Sequence, residues 1–170
     1  VETPDKDFDN IINNWVKYQL WICNMWSRSP SFYHEGQGGR GLRDSSQDSE
    51  SIVSIDPEYA KAKILKIASL TRRDGTMAPG WSDTYGPYSN RPFKDHPTWL
   101  TPSVLGYVKE TGDVNILNQE IPWLKDKWRE GGTKVDIDWS KGAIIDGEGT
   151  LFEHLLAQLN FTYYDVSIHG

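Results

Sequence analysis

The stretch Arg40-Gly41-Leu42-Arg43-Asp44-Ser45-Ser46-Gln47-Asp48 packs two arginines, two carboxylates, a glutamine and two serines into nine residues. Aromatics (Trp26, Phe32, Tyr33) and a glycine-rich turn (Gly36, Gly38, Gly39) precede it, and an apolar helical stripe follows it. Such density of donors and acceptors beside aromatic rings suits a ligand made of hydroxyls. Carboxylates and guanidinium forks take vicinal hydroxyl groups, and flat apolar faces take C–H surfaces. The same residues also read as a solvated loop ending in a helix N-cap at Asp44 or Ser45. Either way they mark a junction between a long irregular segment and a helix, and that junction recurs along the chain.

Working outward, Phe8, Ile11, Ile12, Trp15, Gln19, Ile22 and Trp26 keep helical spacing over residues 7–26. Residues 27–43 read as a loop. A short helix opens at Asp44 or Ser45 and runs to about Ile55. Asp56-Pro57-Glu58 is a helix start, with Asp as cap and Pro at the first helical position. The spacing predicts a helix over 57–73. Ala60, Ile64, Ile67, Ala68 and Thr71 lie on one face, and Lys61, Lys63 and Lys66 form a solvated surface; Asp74-Gly75 stops it.

Residues 75–96 read as a long segment without regular structure, rich in Gly and Pro. Its aromatics (Trp81, Tyr85, Tyr88, Phe93), with Trp99, are expected to line a cleft. A helix is predicted over 97–112, with Val104, Leu105 and Val108 inside, and Asp113 caps a further one to about Lys125. Residues 126–149 read as a peripheral insertion. Thr150 caps a last helix carrying Phe152, Leu155, Leu156, Leu159 and Tyr163. No strand alternation is visible. The expected fold class is mainly α. Helices joined alternately by short turns and long loops have the rhythm of an α/α toroid, with the loops gathered at one end over a pocket.

The chain has 170 residues, enough for one domain with a real core. A formal charge of −6 without a basic stripe argues against nucleic-acid or anionic-membrane partners. No run of apolar residues is long enough to span a membrane. The polar N-terminus shows no signal peptide, and the lone Cys23 reads as a packed thiol; a reducing cytoplasm is the expected location. The four histidines lack metal spacing. Asp136-Ile137-Asp138 begins like a calcium loop, but Lys141 and Gly147 stand where Gly and Glu are required. There is no Gly-x-Ser-x-Gly elbow, P-loop or GxGxxG. Glu153-His154 reads as a packing or surface pair.

Several motifs line up with one family. They are Asn14-Trp15-x-x-Tyr18-Gln19, Trp26-Ser27-Arg28-Ser29-x-Ser31-Phe32-Tyr33, and Gly39 through Asp48. Asp95-His96-Pro97-Thr98-Trp99-Leu100, residues 107–113, Thr150-Leu151-Phe152-Glu153-His154 and His169-Gly170 complete them. In this order, broken only at 126–149, the chain resembles the catalytic domain of glycoside hydrolase family 94, which holds cellobiose, chitobiose and oligoglucan phosphorylases.

The resemblance implies that residues 1–170 are the N-terminal portion of a single (α/α)6 catalytic domain. The reaction it implies is an inverting phosphorolysis of a β-linked disaccharide or oligosaccharide. Inorganic phosphate is co-substrate, and no further cofactor or metal is expected. A single protein acid suffices, because phosphate is itself the nucleophile. By the same resemblance Asp44 binds donor-sugar hydroxyls in the −1 subsite, with Arg40 as the better-matched arginine and Arg43 as the other. Gln47 and Asp48 brace that wall, and Asp95 and Trp99 complete the substrate-binding set. The family usually has Asp-Asp where this chain has Asp95-His96. The general acid and the phosphate ligands are expected beyond Gly170, so the chain alone is expected to be inactive. A homodimeric parent stays open, as do a non-catalytic carbohydrate-binding role and a water-using (α/α)6 hydrolase.

Overall fold

The computed structural model describes residues 1–26, 39–82, 86–88, 93–125 and 145–166. The N-terminal helix begins as α1 (Lys6–Asn10), passes through a π-helical stretch (Ile11–Val16) and continues as α2 (Lys17–Trp26). Asp5 caps it, its carboxylate accepting from the backbone N–H groups of Asp7 and Phe8. The remaining helices are α3 (Leu42–Ile52), α4 (Pro57–Ala68), α5 (His96–Thr111) and α6 (Leu151–Tyr164), with a 3-10 turn at Val114–Asn118. The described chain is therefore mainly helical, as expected.

It also holds two small antiparallel sheets that the sequence pattern hid. In the first, β2 (Gly80–Ser82) lies between β1 (Gly39–Gly41) and β3 (Gly86–Tyr88), with Arg40 opposite Trp81. Strands this short, built on Gly and Pro, carry no alternation to read. The segment expected to lack structure thus contributes two strands, and Trp81, expected in a cleft, is buried in the core at 2% exposure. In the second sheet β4 (Glu120–Leu124) pairs with β5 (Ile145–Thr150). This corrects the helix expected up to Lys125. Pro122 cannot donate an intrahelical hydrogen bond, and Ile121 and Trp123 bury the same side of a strand. Most of the expected insertion at 126–149 lies outside the described residues.

Two helix boundaries also move. α3 opens at Leu42, not at Asp44 or Ser45: Gly41 is the N-cap residue without a side-chain cap, and the Leu42 N–H donates to Pro79 O at 2.9 Å. Pairing of β1 with β2 brings that carbonyl into place, so tertiary structure replaces the side-chain cap. α4 ends at Ala68, where Leu70 and Thr71 turn tightly onto the carbonyls of Ile67 and Ala68. The chain then reverses through Asp74, whose Oδ1 accepts from the Thr76 N–H at 2.9 Å and the Thr76 hydroxyl at 2.7 Å. α5 ends at Gly112 in the left-handed region, φ +72°.

The core lies where α3 packs against α2, α4 and α5, and α5 against α6. Leu42, Ile52, Ala60, Ile64, Ile67, Leu100, Val104, Tyr107, Leu151 and Leu155 fill it. Leu105, expected inside, is exposed, whereas Val104 is buried and Val108 half-buried. α3 and α5 approach closely because small residues face each other there. The Ser103 hydroxyl donates to Ser46 O at 2.7 Å, and a Cβ on Gly106 would stand 3.0 Å from Glu50 Cγ. The buried Ser46 and Ser49 hydroxyls donate to helix carbonyls, so no hydroxyl among these is stranded.

Lys63 is a correction of another kind. It is buried rather than solvated, and its ammonium donates to both Asn24 O and Asn24 Oδ1 at 3.0 Å. It stands three residues from Ala60 and four from Ile67, inside the apolar stripe it was expected to flank.

Candidate functional site

The first turns of α3 and α5 lie side by side and place four of the seven candidate residues in one cluster. Because α3 starts at Leu42, Arg43 and Asp44 occupy its first turn, where the helix dipole favours the Asp44 carboxylate. Arg43 Nη1 stands 3.5 Å from Asp95 Oδ2, with both side chains about half exposed (54% and 45%). The same Oδ2 accepts from the Trp99 indole N–H at 2.9 Å, one helical turn along α5. That hydrogen bond, aided by the Arg43 charge, holds the Asp95 carboxyl below its ordinary range against the opposing effect of burial.

His96 is buried behind this edge, its ring stacked on Phe93 with centroids 4.6 Å apart and 19° between planes. Burial keeps its imidazole below the ordinary pKa. Asp95 and Asp44 pull the other way, and Arg43 reinforces the lowering. Arg43, Asp44, Asp95 and His96 therefore share one electrostatic neighbourhood. It offers a guanidinium fork, two carboxylates and the half-buried face of Trp99, with Phe93 at the rim. The set can bind hydroxyls by paired donors and acceptors and can take a sugar's C–H face on an indole.

Arg40 and Asp48 lie in a second cluster, around the C-terminal end of α2. Arg40 Nη1 donates to Asn24 O at 2.9 Å, and the Tyr59 hydroxyl donates to the same oxygen at 3.0 Å. The Asn24 amide donates to Leu20 O and to Asp48 O, both at 2.9 Å. Gln47, half-buried, shares a helix face with Asp44 and Asp48. The residues missed from sequence are Asn24 and Lys63 in this hub and His96 in the first cluster. A lysine inside an apolar stripe was the available signal for the hub. For His96 it was the departure from Asp-Asp.

Glu153 and His154 belong to neither cluster. Glu153 completes a capping box with Thr150. His154 is fully buried and stacked on Trp123 at 3.6 Å, the packing role expected of it. Cys23 is half-buried. Among the described residues no group of His, Cys, Asp or Glu could hold a metal ion, and no helix is long and apolar enough to cross a membrane.

A model of the Glycosyl hydrolase 94 superfamily catalytic domain matches residues 1–170, the whole chain. The chain belongs to this family. Its relatives include the solabiose phosphorylase of Paenibacillus borealis, 29% identical over all of this chain and 18% of the relative. The N,N'-diacetylchitobiose phosphorylase of Vibrio furnissii is 26% identical over 95% of this chain and 21% of its own length. The cellobionic acid phosphorylase of Neurospora crassa is 32% identical over 72% of this chain and 15% of its own length. The chain thus spans about a fifth or less of these family 94 relatives.

Proposed function

We propose that this chain forms the donor-sugar wall of an inverting β-glycoside phosphorylase, as a portion of an (α/α)6 catalytic domain. The observation that carries the reading is the whole-chain match to the family 94 catalytic domain, in which the described Arg43–Asp95–Trp99 cluster sits. The phosphorylase names of the relatives support it. In the reaction, a phosphate oxygen attacks the anomeric carbon of a β-linked disaccharide or oligosaccharide as the glycosidic C–O bond breaks. An acid from elsewhere in the domain protonates the leaving oxygen, giving an α-sugar 1-phosphate and a shortened saccharide.

In this reading Asp44 accepts from adjacent donor-sugar hydroxyls, and an arginine donates to one of them. Arg43, next to Asp44 in the chain, is paired with Asp95 in this cluster, whereas Arg40 is engaged at Asn24 O in the second, so Arg43 is the arginine this reading favours. Trp99 offers its indole face, and Asp95 fixes both Trp99 and Arg43. Gln47 and Asp48 brace the same helix face.

The test uses the full-length protein that carries these residues, assayed on β-linked disaccharides with and without phosphate. Phosphate-dependent release of a sugar 1-phosphate is expected, and Asp44→Asn should lower kcat/KM for the saccharide at least about 100-fold, or about 2.7 kcal/mol. Turnover that proceeds equally in water alone would favour a hydrolase instead.

A further inference from the structure

We propose that His96 is a specificity-determining residue whose ring nitrogen hydrogen-bonds a hydroxyl of the bound β-linked saccharide. This rests on the sugar-binding reading of the neighbouring cluster. His96 is 8% exposed, and its Nδ1 is buried with no hydrogen-bond partner among the described residues. An unmet buried polar atom costs about 1–3 kcal/mol, so a ligand hydroxyl or ordered water that meets it adds to binding. The place of the orphan, beside the candidate sugar-binding cluster, is what assigns a saccharide hydroxyl to it. His96 directly follows Asp95 at the start of α5 and feels the charges of Asp95, Asp44 and Arg43 together.

The plane of the ring is held by stacking. Phe93 stacks on one face. A half-turn about Cβ–Cγ exchanges ring nitrogens and carbons without disturbing that stack, so a nitrogen can be turned towards a ligand. Burial keeps the imidazole neutral near neutral pH. A neutral imidazole carries one donor and one acceptor nitrogen, which matches a hydroxyl, itself donor and acceptor. The hydroxyl meets the ring directly or through one ordered water. A site that offers a buried partner to one hydroxyl discriminates against sugars lacking it.

The experiment uses the full-length protein, a β-linked disaccharide it cleaves, and the monodeoxy analogues of that disaccharide. His96→Phe keeps the stack and removes both nitrogens; His96→Asn returns an amide near Nδ1. The expected result is a fall of about tenfold or more in saccharide kcat/KM for His96→Phe, with the KM for phosphate unchanged and most of the loss recovered by His96→Asn. One deoxy analogue should lose about tenfold with the natural protein and show no further loss with His96→Phe. Equal penalties for every analogue in natural and His96→Phe proteins would overturn the inference while leaving the function standing. If His96→Phe does not fold, the same comparison is made with His96→Leu, which also lacks a ring nitrogen and where an unchanged deoxy profile overturns it. A natural protein that neither binds nor cleaves β-linked saccharides would remove the functional reading and this inference together.

Discussion

Two donors meet on one oxygen at Asp95: the Trp99 indole at 2.9 Å and the Arg43 guanidinium at 3.5 Å. The longer, half-exposed contact is the one a ligand can displace, because an exposed ion pair holds by little. Elsewhere single residues govern stability. His154 has both ring nitrogens near carbonyls, Nδ1 at 2.9 Å from Thr150 O and Nε2 at 3.4 Å from Pro122 O. Those carbonyls and the Glu153 charge favour the cation, Arg73 opposes it, and burial outweighs the rest, so the pKa is depressed below 6.5. The unfolded chain then binds more protons than the folded one below that value. The stabilisation is present above about pH 6.5 and is lost as pH falls through the depressed pKa. Thermal melts of the chain at roughly pH 7 and pH 5 should show a marked drop, smaller in His154→Gln. An equal drop in both proteins would refute this role.

At the scale of elements, stability depends on how α6 is started and what lies against it. The Thr150 hydroxyl accepts from the Glu153 N–H, and the Glu153 carboxylate accepts from the Thr150 N–H at 2.7 Å. Thr150→Ala should cost about 1 kcal/mol in chemical denaturation. Gly75, at φ +86°, lets the turn after α4 press on α6, and a Cβ there would stand 2.1 Å from Ala157 O. Gly75→Ala should cost at least about 2 kcal/mol, since both the backbone region and the clash oppose it. A loss of a few tenths would mean that the turn relaxes freely. These elements also show what the sequence could convey. Helix starts with side-chain caps, at Asp56 and Thr150, were legible because the signal is local. The start of α3 was misplaced because its cap is a carbonyl from Pro79, distant in sequence. Arg43, Asp44, Asp95 and Trp99 could be named singly, but their adjacency depends on the Ser46–Ser103 crossing of α3 and α5. No periodicity reports such a crossing.

Over the whole molecule, α6 presents apolar groups on two sides. Leu151, His154, Leu155 and Gln158 enter the core, while Phe152, Leu156, Leu159 and Tyr163 stay exposed. Four of the five residues of its sequence stripe thus face outward in this chain, and only Leu155 is buried. Trp15, Tyr18 and Trp26 are likewise exposed on the N-terminal helix. Surfaces of this kind associate unless covered. Sedimentation of the 170-residue chain should show concentration-dependent association, reduced in a Leu156→Glu/Tyr163→Glu double variant. A natural chain that stays monomeric at all concentrations would contradict this.

The central claim is that this chain forms a sugar-binding wall for phosphorolysis. The most direct measurement follows the full-length protein acting on a β-linked disaccharide in phosphate by proton and phosphorus NMR. The account predicts that an α-configured sugar 1-phosphate appears as the first product, and that it disappears in Asp44→Asn. A free reducing sugar formed without phosphate, or a β-configured phosphate ester, would contradict it.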